Sequence, residues 1–367
     1  MAPLEPWEKV LVSADFSKTA HGELNCQQCH NGKESSDKDT AHQGLIADPS
    51  SDPEGMCSLC HAEVTAEYPD SVHASLSGYQ VALYDRSTPE NHPALDTAYE
   101  NHCAECHTTC GDCHIAQPDS VGGGLLSGHV FEKTPPMTRT CTACHGSRVG
   151  AEYLGQNEGI TGDAHFRVGR MNCIACHAGN DLHVTPEDAR SNRYHGEQTP
   201  LCTDCHTEVG TLKDTNPGHA IHNGKLSCQV CHSVEYSSCD GCHVAISDKT
   251  GLPFRTTEGT YLTFFIGRNP LQSEERPYEY VLLRHIPVAE TSFQYYGENL
   301  LPNFDAVPTW KYATPHNIQR NTPQTASCNT CHGNAALFLT ADKVAENELN
   351  ANQSVIVPEV PAVLPIP

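Results

Sequence analysis

Every cysteine of this chain belongs to a Cys-x-x-Cys-His motif, and the 20 cysteines make ten of them. They read Cys26-Gln-Gln-Cys29-His30, Cys57-Ser-Leu-Cys60-His61, Cys103-Ala-Glu-Cys106-His107, Cys110-Gly-Asp-Cys113-His114, Cys141-Thr-Ala-Cys144-His145, Cys173-Ile-Ala-Cys176-His177, Cys202-Thr-Asp-Cys205-His206, Cys228-Gln-Val-Cys231-His232, Cys239-Asp-Gly-Cys242-His243 and Cys328-Asn-Thr-Cys331-His332. A disulfide framework has no reason to set a histidine after every second cysteine. Zinc ribbons pair two Cys-x-x-Cys units per metal and do not need the histidine at one fixed offset. A thioredoxin-like motif takes one Cys-x-x-Cys in a βαβ setting, and none is visible. The pattern fits attachment of c-type haem: the two thiols add across the porphyrin vinyl groups and the adjacent histidine is the proximal iron ligand. The cofactors expected are ten haem c.

With 367 residues for ten haems, the chain is too short to build a separate apolar core around each. Leu, Ile, Val and Phe are sparse, and such a composition folds poorly unaided. The expected fold is mostly irregular, with a haem-stapled core and short helices at the haem sites, and folding should depend on haem as small metal domains depend on metal. The 27 glycines and 25 prolines fit long irregular connections.

The motif spacing divides the chain. Residues 1–243 form a region with nine haem motifs, 244–327 a segment without one, and 328–367 the tenth motif and a tail. Two steps are short: Cys103 to Cys110 is seven residues and Cys228 to Cys239 eleven. An extended residue spans at most ~3.6 Å, so the link from His107 to Cys110 cannot exceed roughly 11 Å, and those two haems must nearly touch. In the motif-free segment, Thr260–Gly267 and Pro277–Ile286 are aromatic and β-branched runs bounded by Gly and Pro. They predict a small antiparallel β element around 255–290, a scaffold or docking surface over haem faces. Ala341–Leu349 has a weak helical pattern, and the Pro-rich apolar tail from Ser354 should be extended.

Iron has a second axial position, whose ligand sets potential and reactivity. Of 23 histidines thirteen lie outside the motifs, enough for ten distal positions; the four methionines are too few. The distal candidates are His21, His42, His73, His102, His129, His165, His183, His195, His219, His222 and His316, with His92 (before a proline) and His285 (in a strand run) the weakest. A residue close to a motif lies on that haem's proximal side. His102, His21 and His222 should therefore reach across to other haems, and His219 and His222 should serve two different ones.

Formal net charge is −23, and haem propionates add to it. That argues against nucleic acid or an anionic membrane surface as partner. It suits basic partners, cations or mineral surfaces, or simply a solvated surface. No run reaches the ~18 apolar residues of a membrane span. Haem is attached to this motif outside the cytoplasm. Met1-Ala-Pro-Leu-Glu-Pro-Trp7 lacks the basic and apolar parts of a secretory signal, so a mature, processed form is expected, extracellular or cell-surface in preference to periplasmic. Gly122-Gly-Gly124 lacks the Lys-Ser/Thr of a phosphate loop.

On the motifs, the histidine surplus and the close pair Cys103–His107 with Cys110–His114, the whole chain resembles multihaem c-type cytochromes of extracellular and periplasmic respiration. The resemblance implies closely stacked bis-histidine haems acting as an electron wire. Three branches follow from it. One is the extracellular cytochrome filament, a homopolymer; one is a discrete decahaem conduit or shuttle; one is a multihaem reductase with one open or lysine-ligated haem. Cys-x-x-Cys-Lys, which marks many nitrite reductases, is absent. The expectation is thus an electron carrier with no catalytic residues, passing electrons to other electron-transfer proteins or to extracellular acceptors such as minerals, electrodes or partner cells.

Overall fold

In a helical turn, residues i, i+3 and i+4 share a face. One turn therefore gathers the two thiols and the imidazole of a Cys-x-x-Cys-His motif into a cluster. In the computed structural model, α-helical turns carry Cys26–His30, Cys110–His114, Cys141–His145 and Cys228–His232. Cys173–Ala175, Cys202–Asp204 and Cys328–Thr330 are tighter 3₁₀ turns. The second motif opens the helix Ser58–Glu67, which bends at His61. The structure describes residues 12–75, 77–104, 108–118, 121–184, 199–234, 236–286 and 288–365; the side chains of 147, 148, 236–243, 245 and 255–262 lie outside that description.

The second variable motif position helps to start three of these turns. Gln28 accepts from the Asn25 N–H while Asn25 accepts from the Gln28 N–H, at 2.8 and 3.0 Å. Asp112 accepts from the Thr109 N–H at 2.7 Å and Asp204 from the Leu201 N–H at 2.8 Å. Each closes a backbone donor that the short helix leaves open.

The ninth motif departs from the expected helix. Its backbone runs in strand β1, Tyr236–Ile246, antiparallel to β2, Pro253–Leu262. Cys239 pairs with Gly259 and Gly241 with Glu258, so Asp240 is an extra residue that bends the strand within the motif.

The chain has two compact units. One comprises Met1–Ser75, Ala104–Gly146 and Leu182–Val184; the other comprises Leu76–Cys103, Ser147–Asp181 and Thr185–Pro367. These units cut across the division read from motif spacing. Among the described residues, the first unit buries only Tyr68 and Leu126 as large apolar side chains. The second builds a core on β3 (Phe265–Arg268), β4 (Tyr280–His285) and β5 (Trp310–Tyr312), an antiparallel sheet in that order. Side chains alternate across a strand. Val281 and Leu283 accordingly meet Trp310, Tyr312, Leu339, Val344 and Val355 on one face. Leu282 meets Ile266, Ala313, Phe338 and Val357 on the other. A third cluster gathers Leu83, Leu95, Leu300, Leu301 and Phe304.

The small β element is present, but it takes its third strand and much of its cover from beyond 290. Ala341–Leu349 forms two 3₁₀ turns, Ala341–Lys343 and Glu346–Glu348, rather than a helix. Val355, Ile356 and Val357 of the tail are buried in the sheet's own core, and Val355 accepts from the Arg268 N–H at 2.9 Å. No helix among the described residues is long and apolar enough to cross a membrane.

Candidate functional site

Eight motif histidines each stand opposite one non-motif histidine. In the first unit the pairs are His61 with His21, His30 with His129, His145 with His73 and His114 with His183, at 6.0, 5.9, 6.3 and 6.1 Å between ring centroids. In the second they are His206 with His165, His177 with His316, His232 with His219 and His332 with His222, at 6.0, 6.2, 6.1 and 6.4 Å.

The sameness of the gap is informative. His21 and His61 are nearly parallel at 16°, His177 and His316 at 24°, yet they are too far apart to stack. Tyr84 on His92, which do stack, lie at 3.7 Å. Two imidazoles on opposite sides of one metal ion, each with a bond of about 2 Å and about 1.1 Å from nitrogen to centroid, put their centroids roughly 6 Å apart. The residues therefore fit iron between paired imidazoles. Among the described residues the cysteines are free thiols. Leu59 and Ile221, within two residues of His61 and His222 in sequence, are 93% and 61% exposed, apolar surface that a porphyrin edge would cover.

Hydrogen bonds select which ring nitrogen faces the gap. Nδ1 of His30 donates to the Ile46 carbonyl at 2.8 Å, that of His114 to Glu132 at 2.7 Å, that of His232 to Gln319 at 3.0 Å and that of His332 to Ala362 at 3.1 Å. A carbonyl only accepts, so Nδ1 carries the proton and Nε2 keeps its lone pair for a metal. His222 Nδ1 donates likewise to the Gly218 carbonyl at 3.1 Å. Two distal candidates are backed by carboxylates instead: His219 by Asp214 at 2.7 Å and His165 by Asp163 at 3.2 Å. Burial holds His177 below the ordinary imidazole range, against the raising effect of Asp181. Burial and then His61 lower His21, and burial and then His114 lower His183. Neutral imidazole is the form that binds metal.

The helix Pro217–His222 starts on a proline with Asn216 accepting the Gly218 N–H at 2.9 Å. It sends His219 to the eighth motif and His222 to the tenth, from positions three apart. His21, five residues ahead of the first motif, stands at the second.

Other candidates are placed differently. His102 is buried with Nε2 at 2.6 Å from the Tyr296 hydroxyl. His42 caps the helix Lys38–Ala41, exposed, and pairs with no motif histidine among the described residues. His92 lies flat on Tyr84. His285 is bound by the Glu348 carboxylate at 2.9 and 3.0 Å. His107, Cys106 and His195 lie outside the described residues, as do the side chains of Cys239, Cys242 and His243.

Sequence reasoning missed Asp163, Asp214 and Glu152. Asp163-Ala-His165 was a legible signal, since an Asp just before a helix caps it beside its own histidine. Glu152, buried against the His316 N–H at 2.8 Å, carried none. Burial raises its carboxyl to about 9, against that hydrogen bond.

No family model matches the chain, and no solved structure matches it. It is similar to the high-molecular-weight cytochrome c of Nitratidesulfovibrio vulgaris (Hildenborough), 23% identical over 262 residues that cover 62% of this chain and 44% of that protein. The chain thus matches less than half the length of that relative. The likeness supports a c-type cytochrome with haem c as cofactor.

Proposed function

We propose that the chain carries electrons one at a time along ten covalently bound haem c groups, closed on both sides by histidine and doing no substrate chemistry. The observation that carries this reading is the set of eight opposed histidine pairs with one common gap, 5.9 to 6.4 Å. Haem c supplies a one-electron carrier wherever it is bound. The chain supplies the rest. Paired cysteines would tether each group, most of them on single turns, the ninth pair on a strand. Carbonyls and carboxylates behind Nδ1 fix seven of the rings and tune their basicity. The short links at 107–110 and 232–239 keep successive groups close. A histidine on both sides leaves no position for a substrate, which favours a carrier over a reductase.

The test is a haem count with a spin-state assay on the purified holoprotein. Ten haems per chain, all low-spin, support the reading. A high-spin component that binds nitrite or hydroxylamine moves it to the reductase branch. His222→Ala should convert one haem to high spin, while His285→Ala should convert none.

The resemblance extends the proposal to an extracellular filament subunit. The apolar tail lends that extension no support, because Val355 to Val357 are buried within the chain's own second unit. Electron microscopy of the purified protein tests it. Filaments carry the extension, and discrete particles replace it with the conduit or shuttle branch.

A further inference from the structure

Four residues of the second unit, His316-Asn-Ile-Gln319, face the sixth haem motif, bond to the eighth and are tied through Asp163 to the histidine opposite the seventh. His316 stands opposite His177 of the sixth motif. The Gln319 carbonyl accepts from Nδ1 of His232 in the eighth motif at 3.0 Å, and the Gln319 N–H donates to the His232 carbonyl at 2.8 Å. Between them, the Ile318 N–H donates to Asp163 at 2.7 Å, and the Ile318 carbonyl accepts from the Ala164 N–H at 2.9 Å. Asp163 in turn holds His165, the residue opposite His206 of the seventh motif.

Asp163 is the joint of this arrangement. It is 1% exposed, and its two oxygens are committed to different segments. Oδ1 accepts from the His165 N–H at 2.6 Å, the Phe166 N–H at 3.2 Å and His165 Nδ1 at 3.2 Å; Oδ2 accepts from Ile318. A buried carboxylate is costly unless so satisfied. Once satisfied it is a rigid two-ended clamp. The first unit uses a strip of the same spacing. His129 stands opposite His30, Phe131 stacks on His21 at 4.1 Å, and the Glu132 carbonyl accepts from His114 Nδ1 at 2.7 Å. In both strips a histidine facing one motif lies three residues before a carbonyl that orients the histidine of another.

We propose that residues 316–319, clamped by Asp163, are one positioning strip for the sixth, seventh and eighth haems, so that Asp163 sets the ligand geometry and potential of more than one of them. This rests on the bis-histidine reading above. The carboxylate behind His165 enriches that imidazole and favours the oxidised iron it would hold. Its other oxygen fixes the strip that carries His316 and orients His232. Asp214, behind His219, touches a single distal histidine and is the natural control.

The experiment is a redox titration of the full holoprotein followed by low-temperature EPR, comparing wild type, Asp163→Asn, Asp163→Glu and Asp214→Asn. Wild type first establishes ten low-spin haems; a failure there removes the bis-histidine reading itself, and this proposal with it. With that met, Asp163→Asn should favour reduction of one haem by roughly tenfold, about 59 mV for one electron. It should also shift the EPR signals of at least one further haem, and Asp163→Glu should restore the potential in part. Asp214→Asn should move one haem only. Asp163→Asn moving one haem or none overturns the strip while leaving the bis-histidine reading intact. Gln319→Ala provides a second variant that keeps every buried charge. It removes the side-chain bonds to the Gly162 carbonyl and to Asn317, both at 2.8 Å. It should shift the sixth and eighth haem signals together, and a shift in neither overturns the proposal.

Discussion

The two units carry the same load on different foundations. Each holds four of the opposed histidine pairs, yet the first buries little apolar protein of its own, while the second packs both faces of a three-stranded sheet. Burying a Val, Leu or Phe side chain contributes about 1.5–3 kcal/mol. The second unit has many such residues; in the first, the described large apolar residues that are buried are Tyr68 and Leu126. The difference teaches that the pattern of thiol pairs and facing histidines is independent of how the surrounding chain is held together.

The largest expected effect breaks the units apart by their dependence on cofactor. Chain produced without haem attachment should lose amide protection throughout 12–75 and 108–146. It should keep slow exchange in β3, β4 and 339–357. Hydrogen exchange read by mass spectrometry decides it, and uniform loss across both units would end the contrast. Next in size is Leu283→Ala. Leu283 is fully buried against Trp310 and Leu339, so the change should cost the second unit about 2–5 kcal/mol. The first unit's exchange should stay as it was. Equal loosening of both would mean that they share one cooperative transition.

The difference in foundations also explains what was legible in the sequence. The cysteines and motif histidines were plain because covalent chemistry demands fixed residues at fixed spacing. The surplus of histidines was countable, but their partners were not. His129 faces a motif about a hundred residues earlier and His316 one about 140 residues earlier, and such closures leave no local mark. The β-branched runs announced β3 and β4. Trp310–Tyr312 is too short to announce β5, and a Pro-rich tail gives no sign that Val355 to Val357 fill a core. The ninth motif shows the limit of a local rule, since its backbone follows the hairpin rather than the helical turn its spacing allows.

A smaller effect separates the units by pH. Glu348 is buried, which works to raise its carboxyl, but His285 and Thr309 outweigh burial and hold it below the ordinary carboxylate range. A depressed acid adds stability that is complete above its unfolded value and is lost as pH falls through its folded value. Thr309 donates to Glu348 at 2.6 Å, and Asn352 donates to Thr309 at 2.8 Å and accepts from the Trp310 N–H at 2.9 Å. Acid below the ordinary carboxylate range should therefore loosen the contact of β5 with the C-terminal segment, visible in Trp310 fluorescence. Glu348→Gln should cost on the order of 1–3 kcal/mol at neutral pH and remove this acid step. An unchanged acid step in the variant would assign it to other carboxylates.

The smallest effect sharpens the contrast inside the second unit, between the buried part of the tail and its end. Asn329 donates to the Leu364 carbonyl and accepts the Leu364 N–H, both at 2.9 Å, and the Gly333 N–H donates to Pro361 at 2.7 Å. These bonds lay the end of the tail along the tenth motif, where Ala362 meets His332. They are exposed, so Asn329→Ala should cost only about 1 kcal/mol, a roughly fivefold faster exchange at Leu364. Val355 and Val357 should be unaffected, because apolar burial rather than the latch holds them. The same variant should loosen the carbonyl behind His332 and so broaden the EPR signal of the tenth haem without changing its spin state. If exchange at 355–357 rises together with that at 364, the tail is a single unit held at its tip, and the division between core and latch is wrong.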